Sequence, residues 1–315
     1  MAIHLLVVTR LSRHHQDRIE AAGIRLHMAE DAETRRRILE HHRDDIRAVM
    51  TIGTIGFSAE EMDTLPKLGL ICAQGVGFEG IDVSAARERG IVVTHGPGTN
   101  AETVADHTLG LVLACLRRIP QGDAGLRKGR WKEIRRSAPV LHGKTLGLLG
   151  MGNVARAIAR RAHGGFDMPI IYFARQPKAD LDWPHETDAK RVAEQADVLV
   201  STLPGGPETH HLIDDALLAV MKPDSIVVNI GRGSVVDSEA MARAVREKRL
   251  AGAALDVFEH EPEVAQALKD EPSIVMTPHT AGLSPEALDA TVELVIQNLE
   301  AFRDGRPPVT PVPGT

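Results

Sequence analysis

Residues 146–162, LGLLGMGNVARAIARRA, join a short apolar run to a stretch of small, apolar and basic residues through a glycine-rich turn. The turn reads Gly150-x-Gly152-x-x-Ala155, which is the spacing of the dinucleotide-binding fingerprint. Gly150 permits the tight turn, Gly152 lets a pyrophosphate approach the backbone, and Ala155 allows the helix to pack closely on the strand. The positive N-terminus of that helix favours the phosphates. The stretch therefore predicts a strand, a phosphate-binding turn and a helix.

The rest of the chain repeats this strand-then-helix order. Helical patterns cover residues 12–22, 102–118, 153–163, 214–221 and 237–248, and strand-length runs that are mostly apolar on both faces lie around them. Such runs suit parallel strands covered by helices, so we expect an α/β fold. The ten predicted strands are 4–9, 46–52, 68–73, 91–94, 145–150, 170–174, 197–202, 225–230, 252–257 and 274–278.

The long helical stretch 102–118 separates four early strands from six later ones. A last helix is predicted with Ser284 as its N-cap and Pro285 in its first turn, and it runs to about Arg303. Because this helix follows the tenth strand, it can pack back on the first half of the chain. We therefore expect two doubly wound parallel-sheet domains, residues 1–98 plus 284–315 and residues 99–283.

Composition excludes several classes of protein. A formal net charge of −6 over 315 residues argues against non-specific nucleic-acid binding, and 3% aromatic residues argue against a base-stacking surface. The longest apolar run, residues 109–116, is too short to span a bilayer. Cys72 and Cys115 lie in apolar runs, and residues 1–12 lack the pattern of a signal peptide. We expect a cytoplasmic protein with no nucleic-acid or membrane partner.

The strand after the fingerprint bears on the choice of cofactor. In NAD enzymes an acidic residue near this position accepts a hydrogen bond from the ribose 2′-hydroxyl. Here the strand ends in Ala174-Arg175, with Lys178 shortly after it. An acid would repel a 2′-phosphate, whereas Arg175 can pair with it through two hydrogen bonds. The sequence favours NADP(H), and NAD remains possible.

Three ionisable residues follow apolar strands, where ligands of open α/β sheets bind. They are Arg232 in NIGRGSVVD, Glu261 in ALDVFEHEP and His279 in TPHTAG. None of the fifteen histidines forms a zinc motif, and the three His–His pairs are predicted to be surface residues. We therefore predict no metal site.

These segments and several others resemble the D-isomer-specific 2-hydroxyacid dehydrogenase family over essentially the whole length of the chain. The spacing of Arg232, Glu261 and His279 agrees with the family's Arg–Glu–His arrangement. Within the family, the chain looks most like the NADPH-dependent glyoxylate/hydroxypyruvate reductases. The other matching segments are GVGFEGID (75–82), NAETVADHTLGLVLACLRR (100–118), STLPGGPETHHLI (201–213), MKPDSIVVNIGRGSVVD (221–237) and GAALDVFEHEP (252–262).

The resemblance implies a role for each site residue. Arg232 would bind the substrate carboxylate and keto oxygen, His279 would be the general acid in reduction and the base in oxidation, and Glu261 would orient His279 and stabilise its imidazolium form. Backbone amides of Val76 and Gly77 would also hold the carboxylate. The implied cofactor-binding residues are Thr103, Gly150, Gly152, Asn153, Val154, Ala174, Arg175, Lys178, Leu203, Ile230, Gly231, Arg232, Asp256, His279 and Gly282, with Asp256 near the nicotinamide carboxamide.

The resemblance also implies an architecture. It makes residues 99–283 a Rossmann-type cofactor domain inserted in a flavodoxin-like substrate domain, with substrate in the cleft between them. It implies a homodimer built largely on the helix 102–118. Trp131 would then either reach the partner's active site or be an ordinary interface or core residue.

The favoured function is NADPH-dependent reduction of small 2-oxo acids, glyoxylate or hydroxypyruvate, to D-2-hydroxy acids. An alternative is an NAD-linked dehydrogenase of another D-2-hydroxy acid. An aromatic substrate stays open, because Ile52, Ile55 and Phe57 in the predicted substrate loop could line a tight or a wide pocket. An alternative from another class is a dinucleotide-sensing, corepressor-like binding protein.

Overall fold

The computed structural model describes residues 2–314, which divide into two compact units. The first unit contains the described residues up to Asn100 and those from Leu283 onwards, and the second is Ala101–Gly282. The sequence predicted these divisions at 98/99 and 283/284, within two residues of the structural ones.

Twelve strands are present within residues 2–314. They are β1 (Ile3–Val7), β2 (Ile24–Met28), β3 (Ile46–Thr51), β4 (Leu70–Ala73), β5 (Val92–Thr94), β6 (Leu146–Leu149), β7 (Ile170–Phe173), β8 (His185–Glu186), β9 (Val198–Ser201), β10 (Ile226–Asn229), β11 (Gly252–Leu255) and β12 (Ile274–Met276).

Thirteen α-helices lie in the same range. They are α1 (Arg13–Ala21), α2 (Ala32–His42), α3 (Ala59–Asp63), α4 (Val83–Glu88), α5 (Ala101–Leu116), α6 (Ile119–Arg127), α7 (Trp131–Ile134), α8 (Asn153–Phe166), α9 (Ala189–Gln195), α10 (Asp215–Leu218), α11 (Ser238–Arg246), α12 (Gln266–Lys269) and α13 (Pro285–Arg303).

The first unit is a five-stranded parallel sheet in the order β2-β1-β3-β4-β5, which is the flavodoxin-like order. Helix α13 returns to this unit and buries Val292, Val295 and Leu299 against β1, β3 and β4. Its N-cap is Ser284, whose side chain accepts a hydrogen bond from the Ala287 amide, and Pro285 opens its first turn, as predicted.

The second unit is a seven-stranded parallel sheet in the order β12-β11-β10-β9-β6-β7-β8. The chain runs outward from β6 to β8 on one side and then from β9 to β12 on the other, which is the doubly wound Rossmann order with one added edge strand. Helices α5 and α8 cover one face, and α9, α10, α11 and α12 cover the other. The predicted α/β fold with two parallel-sheet domains is confirmed.

Two of the four edge strands, β2 and β8, were missed in the sequence, whereas the edge strands β5 and β12 were predicted. β2 reads IRLHM, in which Arg25 is exposed, so it lacks the continuous apolar run of a central strand. β8 has only two residues. The helix predicted to run to residue 118 ends at Leu116, because Arg118 adopts a left-handed conformation with φ of 53° before α6 begins.

The expectation that the histidine pairs are surface residues is wrong for His15. Its side chain is buried, and its Nε2 lies 2.9 Å from Asp289 Oδ1 of α13. His211 is half-buried and its Nε2 lies 2.5 Å from Glu259 Oε1. No group of three potential metal-ligating side chains occurs among residues 2–314. In the same range no helix has the length and apolar character needed to cross a bilayer.

Candidate active site

Three neighbouring strands of the second unit deliver the three predicted catalytic residues. Arg232 follows β10, Glu261 lies in the loop after β11, and His279 lies just after β12. These strands are parallel neighbours in the sheet, so their carboxyl ends share one edge. Ligands of doubly wound sheets bind beyond this edge, which makes it the candidate active site.

His279 and Glu261 form a direct hydrogen bond. His279 Nδ1 lies 2.7 Å from Glu261 Oε2, and Glu261 Oε1 accepts a hydrogen bond of 3.0 Å from the Phe258 amide. Both carboxylate oxygens are therefore engaged, which holds the carboxylate in place. Because Nδ1 donates to a carboxylate, Nε2 is the ring atom left to exchange a proton with a substrate. The side chain of His279 is 41% exposed, so a ligand can reach it.

The backbone at His279 has an uncommon conformation. Its φ is +52°, in the left-handed region that a non-glycine residue enters at a cost of about 1 kcal/mol or more. Its amide is held by the carbonyls of Asp256, at 2.8 Å, and Thr277, at 3.0 Å. The imidazole is thus positioned by the fold of its loop as well as by Glu261.

Asp256 clamps the loop that carries His279. It is 1% exposed, and its Oδ1 accepts hydrogen bonds from the Thr277 hydroxyl at 2.6 Å and the Thr280 amide at 2.9 Å. Its Oδ2 accepts one from the Ala281 amide at 2.9 Å. The Thr277 hydroxyl donates its proton to Asp256. His107 Nε2 lies 3.0 Å from Thr277 Oγ1, so His107 must be the donor and Oγ1 the acceptor in this second hydrogen bond. Helix α5 thereby contributes to the support of the loop that carries His279.

The loop that carries Arg232 is held by Asn229 at the end of β10. Asn229 is fully buried; its Nδ2 donates to the Arg232 carbonyl at 2.9 Å, and its Oδ1 accepts from the Gly231 amide at 3.2 Å. Arg232 Nη1 also donates to the Gly231 carbonyl at 2.8 Å. A Cβ at Gly233 would lie 1.9 Å from the Phe258 carbonyl carbon, so the Arg232 loop packs directly on the loop that carries Glu261.

The fingerprint turn has the form that a dinucleotide requires. Gly150 has a φ of +94°, and a Cβ there would lie 2.8 Å from Thr202 Oγ1. Gly152 is the N-cap of α8, and apart from its chain neighbours no atom of residues 2–314 lies within 4 Å of the position that its Cβ would take. Asn153 and Val154 form the first turn of α8, and Ala155 is fully buried against the sheet. This open turn at the start of a fourteen-residue helix fits a pyrophosphate.

The residues predicted to recognise the 2′-phosphate follow β7, which neighbours β6. Ala174 is half-buried, and Arg175 is exposed with its Nη1 3.4 Å from Glu208 Oε2. Lys178 donates its amide to the Tyr172 hydroxyl at 2.9 Å, which ties down the loop after the strand. A cation is thus available where an NAD enzyme would carry an acid.

The remaining predicted cofactor residues lie at the ends of other elements of the second unit. Leu203 follows β9, Ile230 and Gly231 follow β10, Thr103 lies in the first turn of α5, and Gly282 ends the unit. A Cβ at Gly231 would lie 2.4 Å from the Leu203 carbonyl oxygen, so these two loops are in close contact. Val76 and Gly77, predicted to bind substrate, belong to the first unit and follow β4.

One predicted pocket residue lies elsewhere. Phe57 is 1% exposed and packs in the core of the first unit, so it does not line a pocket as expected. Ile55 of the same loop is 52% exposed, and Ile52 is half-buried. The periodicity of TIGTIGF does not reveal which of its apolar residues turns inward.

Comparison with known proteins identifies the family. The model of the D-isomer specific 2-hydroxyacid dehydrogenase NAD-binding domain matches residues 109–281, which is more than half of the chain. The chain belongs to the D-isomer-specific 2-hydroxyacid dehydrogenase family.

Named relatives of this dehydrogenase agree with that assignment. It is 37% identical to glyoxylate/hydroxypyruvate reductase A of Arabidopsis thaliana, with 87% of this chain and 88% of the relative covered. It is 38% identical to hydroxyphenylpyruvate reductase of Plectranthus scutellarioides, covering 85% and 86%. The solved structure of an NADPH-dependent glyoxylate/hydroxypyruvate reductase from Sinorhizobium meliloti, in complex with NADP and malonate, superposes with a TM-score of 0.88 at 33% identity, covering 99% and 97%.

The sequence analysis of this 2-hydroxyacid dehydrogenase missed two supporting residues, Asn229 and His107, and it assigned Asp256 to the cofactor without foreseeing its role in the His279 loop. Asn229 and the loop-clamping role of Asp256 carry the same signal as Arg232, a polar residue at the end of an apolar strand. His107 lies in the middle of α5 and has no local signal, because its partner Thr277 is 170 residues away.

Proposed function

We propose that this dehydrogenase reduces small 2-oxo acids, such as glyoxylate and hydroxypyruvate, to D-2-hydroxy acids with NADPH. The observation that carries the proposal is the 2.7 Å contact between His279 Nδ1 and Glu261 Oε2, at the sheet edge that also presents Arg232. The names of two relatives, a glyoxylate/hydroxypyruvate reductase and an NADPH-dependent enzyme of the same activity, support it.

The chemistry divides among the residues of the site. When bound, the reduced nicotinamide supplies a hydride to the carbonyl carbon. His279 donates its Nε2 proton to the carbonyl oxygen, and Glu261 keeps the imidazolium oriented and stabilised until it does so. Arg232 binds the substrate carboxylate through its planar guanidinium. Val76 and Gly77 remain the predicted amide donors to that carboxylate.

The preference for NADPH rests on Arg175. Arg175 directly follows β7, no acidic residue occupies positions 174–178 of the chain, and Lys178 adds a second cation. Arg175 and a 2′-phosphate can form a charge-assisted pair, which a 2′-hydroxyl cannot.

The substrate remains open between small and aromatic 2-oxo acids. The relative named hydroxyphenylpyruvate reductase is as similar as the glyoxylate reductases, which favours testing aromatic substrates and NADH together. Since Phe57 is buried, Ile52 and Ile55 are the apolar residues of this loop that remain for substrate contact.

We also propose a homodimer. The second unit exposes Ile119, Leu126, Trp131 and Val140 on and after α6 and α7, each at least half exposed, and a partner would cover such an apolar surface. A cytoplasmic location remains a prediction from the sequence. Both cysteines are buried free thiols, and burial raises the pKa of each to about 12, so neither is a reactive thiolate at neutral pH.

The test is turnover of glyoxylate, hydroxypyruvate and hydroxyphenylpyruvate with NADPH and with NADH. We expect kcat/KM to be highest for a small 2-oxo acid with NADPH. Preference for the aromatic acid or for NADH would favour the dehydrogenase alternative. Dinucleotide binding without turnover of any 2-oxo acid would favour the corepressor-like alternative.

A variant tests the choice of cofactor. Replacing Ala174 by Asp and Arg175 by Gln places an acid at the strand end and removes the cation, so preference should move towards NADH. A lost charge-assisted hydrogen bond is worth about 1.5–3 kcal/mol, which is roughly 10- to 150-fold in kcat/KM for NADPH. Equal efficiency with NADPH in the wild type and the variant would contradict the assignment of Arg175.

A further inference from the structure

Glu208 lies beside the cation that the proposed cofactor would use. It belongs to the loop after β9, and its Oε2 is 3.4 Å from Arg175 Nη1 in the loop after β7. β7 and β9 are the two neighbours of β6 in the sheet. The ion pair therefore spans the carboxyl end of β6, where the phosphate-binding turn at Gly150 and Gly152 begins.

The loop that carries Glu208 is anchored on both sides of this residue. The Thr209 hydroxyl donates to the Pro204 carbonyl at 2.7 Å, and His211 Nε2 lies 2.5 Å from Glu259 Oε1. Burial raises the pKa of the Glu259 carboxyl, but hydrogen bonds from Ser238 and His211 outweigh burial and hold that pKa below its usual value. Glu259 thus stays an acceptor at neutral pH, and the loop keeps the Glu208 backbone near Arg175.

Another carboxylate of this region is already neutralised. Asp180, five residues after Arg175, accepts two hydrogen bonds from Arg156 of α8, at 2.5 and 3.0 Å, and they hold its pKa below the usual range. Arg156 offsets the charge of Asp180, whereas the charge of Glu208 is offset by Arg175 itself. A phosphate that binds Arg175 must displace Glu208 or accept its repulsion.

We propose that Glu208 is a specificity-determining residue that weakens binding of the 2′-phosphorylated cofactor and so limits the discrimination of NADPH over NADH. The proposal rests on the proposed role of Arg175. Glu208 competes with the 2′-phosphate for the guanidinium and repels its negative charge. A ribose 2′-hydroxyl carries no charge, and the pyrophosphate is common to both cofactors, so its repulsion by Glu208 does not change the preference for NADPH over NADH.

The direct test is binding of nucleotides that differ only by the 2′-phosphate. Calorimetric titration with adenosine 2′,5′-bisphosphate and with AMP isolates this group, and fluorescence titration with NADPH and NADH extends it to the whole cofactor. Because exposed ion pairs are worth up to about 1 kcal/mol, Glu208→Gln should tighten the Kd for the bisphosphate and NADPH by about two- to fivefold. The Kd for AMP and NADH should change by less, so that the ratio of the Kd values with and without the 2′-phosphate shifts.

A matched control separates this effect from the loss of one surface charge. Glu194, near the end of α9, also faces an arginine, with 3.8 Å between its Oε2 and Arg191 Nη1. Helix α9 leads into the start of β9, so Glu194 lies towards the opposite edge of the sheet. Glu194→Gln should leave all four Kd values unchanged. Both glutamates are exposed, so neither substitution threatens folding, and thermal unfolding checks this.

Two further measurements test whether Glu208 acts through its charge and through Arg175: the salt dependence of binding and a double variant. The gain from Glu208→Gln should shrink between about 0.01 M and about 1 M salt, because the screening length falls from about 30 Å to about 3 Å. The gain in affinity for NADPH should also be smaller when Glu208→Gln is combined with Arg175→Ala. Unchanged Kd values in Glu208→Gln, while Arg175→Ala weakens NADPH binding, would overturn the role of Glu208 alone. If Arg175→Ala left NADPH binding intact, the proposed cofactor preference would fail as well.

Discussion

At the residue scale, the proton of His279 is the centre of the proposed reaction. Reduction requires protonated imidazole, so kcat/KM for a 2-oxo acid should fall as the pH rises, whereas oxidation of the hydroxy acid should rise over the same range. Glu261 contributes the negative charge that favours the protonated ring, through the 2.7 Å contact at Nδ1. The two residues therefore control a single pH dependence.

Glu261→Gln keeps the shape of the side chain and removes its charge. The falling limb of the pH profile for reduction should move to lower pH, measured where hydride transfer limits the rate. Glu263→Gln, an exposed carboxylate two residues along the same loop, is the matched control and should leave the limb in place. His279→Ala should lower kcat in both directions by about 10²- to 10⁴-fold, with little change in NADPH affinity. If the falling limb of the Glu261→Gln profile lay at the same pH as that of the wild type, a group other than Glu261 would control the protonation of His279.

At the element scale, the loop after β12 depends on a carboxylate from the end of β11. The two oxygens of Asp256 accept the amides of Thr280 and Ala281 separately, so both acceptors are required. Asp256→Asn replaces one acceptor oxygen by an NH₂ group, which then faces the backbone N–H of Thr280 or Ala281 in a buried site. A buried polar group left unsatisfied costs about 1–3 kcal/mol of unfolding free energy.

The expected result of Asp256→Asn is a lower kcat together with a lower thermal stability, because the loop that holds His279 loses its clamp. Asp224→Asn, an exposed residue just before β10, serves as the control for the same chemical change. Steady-state kinetics and thermal unfolding of both variants provide the comparison. Wild-type kcat in Asp256→Asn would mean that the backbone bonds of His279 position the imidazole without this carboxylate.

At the scale of whole units, the first unit contains a cluster of histidines that links its stability to pH. His27 of β2 is buried, with its Nε2 3.1 Å from His4 Nδ1 of β1 and its ring 4.6 Å from that of His42 in α2. Burial, followed by the charges of His42, His4 and Arg25, lowers the pKa of His27 to about 4, although Asp45 opposes the shift.

The direction in which stability changes with pH follows from the lower pKa of His27 in the folded state. The unfolded chain binds a proton at His27 near pH 6.5 and the folded unit near pH 4, so the stability from neutral His27 is complete above about 6.5 and is lost as the pH falls towards 4. The contribution is at most about 3 kcal/mol. His27→Gln should flatten this part of the stability curve, and His41→Gln, an exposed neighbour, should not.

The choice of probe matters for this experiment. Trp131, Trp183 and Tyr172 all lie in the second unit, so intrinsic fluorescence does not report on the first. Hydrogen exchange of the β1 and β2 amides, followed between about pH 7 and pH 5, measures the relevant opening free energy. A wild-type profile parallel to that of His27→Gln would show that the cluster does not control the acid stability of this unit.

Local patterns determined most of the fold. All ten predicted strands are present. Eight of them are central parallel strands, which are covered on both faces and therefore have visible apolar runs, and the edge strands β5 and β12 have such runs as well. The edge strand β2 has no such run, because the exposed Arg25 and the polar His27 interrupt it, and β8 has only two residues. The end of α5 depends on the left-handed conformation of Arg118, which the surrounding composition does not specify.

The sequence by itself determined the glycine-rich turn and the cation at position 175, and it predicted Arg232, Glu261 and His279 as site residues, because each follows an apolar strand or a glycine pattern that is local in the chain. The tertiary structure decided the partners. The Asp256 clamp joins positions 24 and 25 residues apart, the contact of Glu208 with Arg175 spans 33, and that of His107 with Thr277 spans 170. Such contacts depend on which strands become neighbours in the sheet and on where their loops meet, and no pattern within a short window of sequence contains that information.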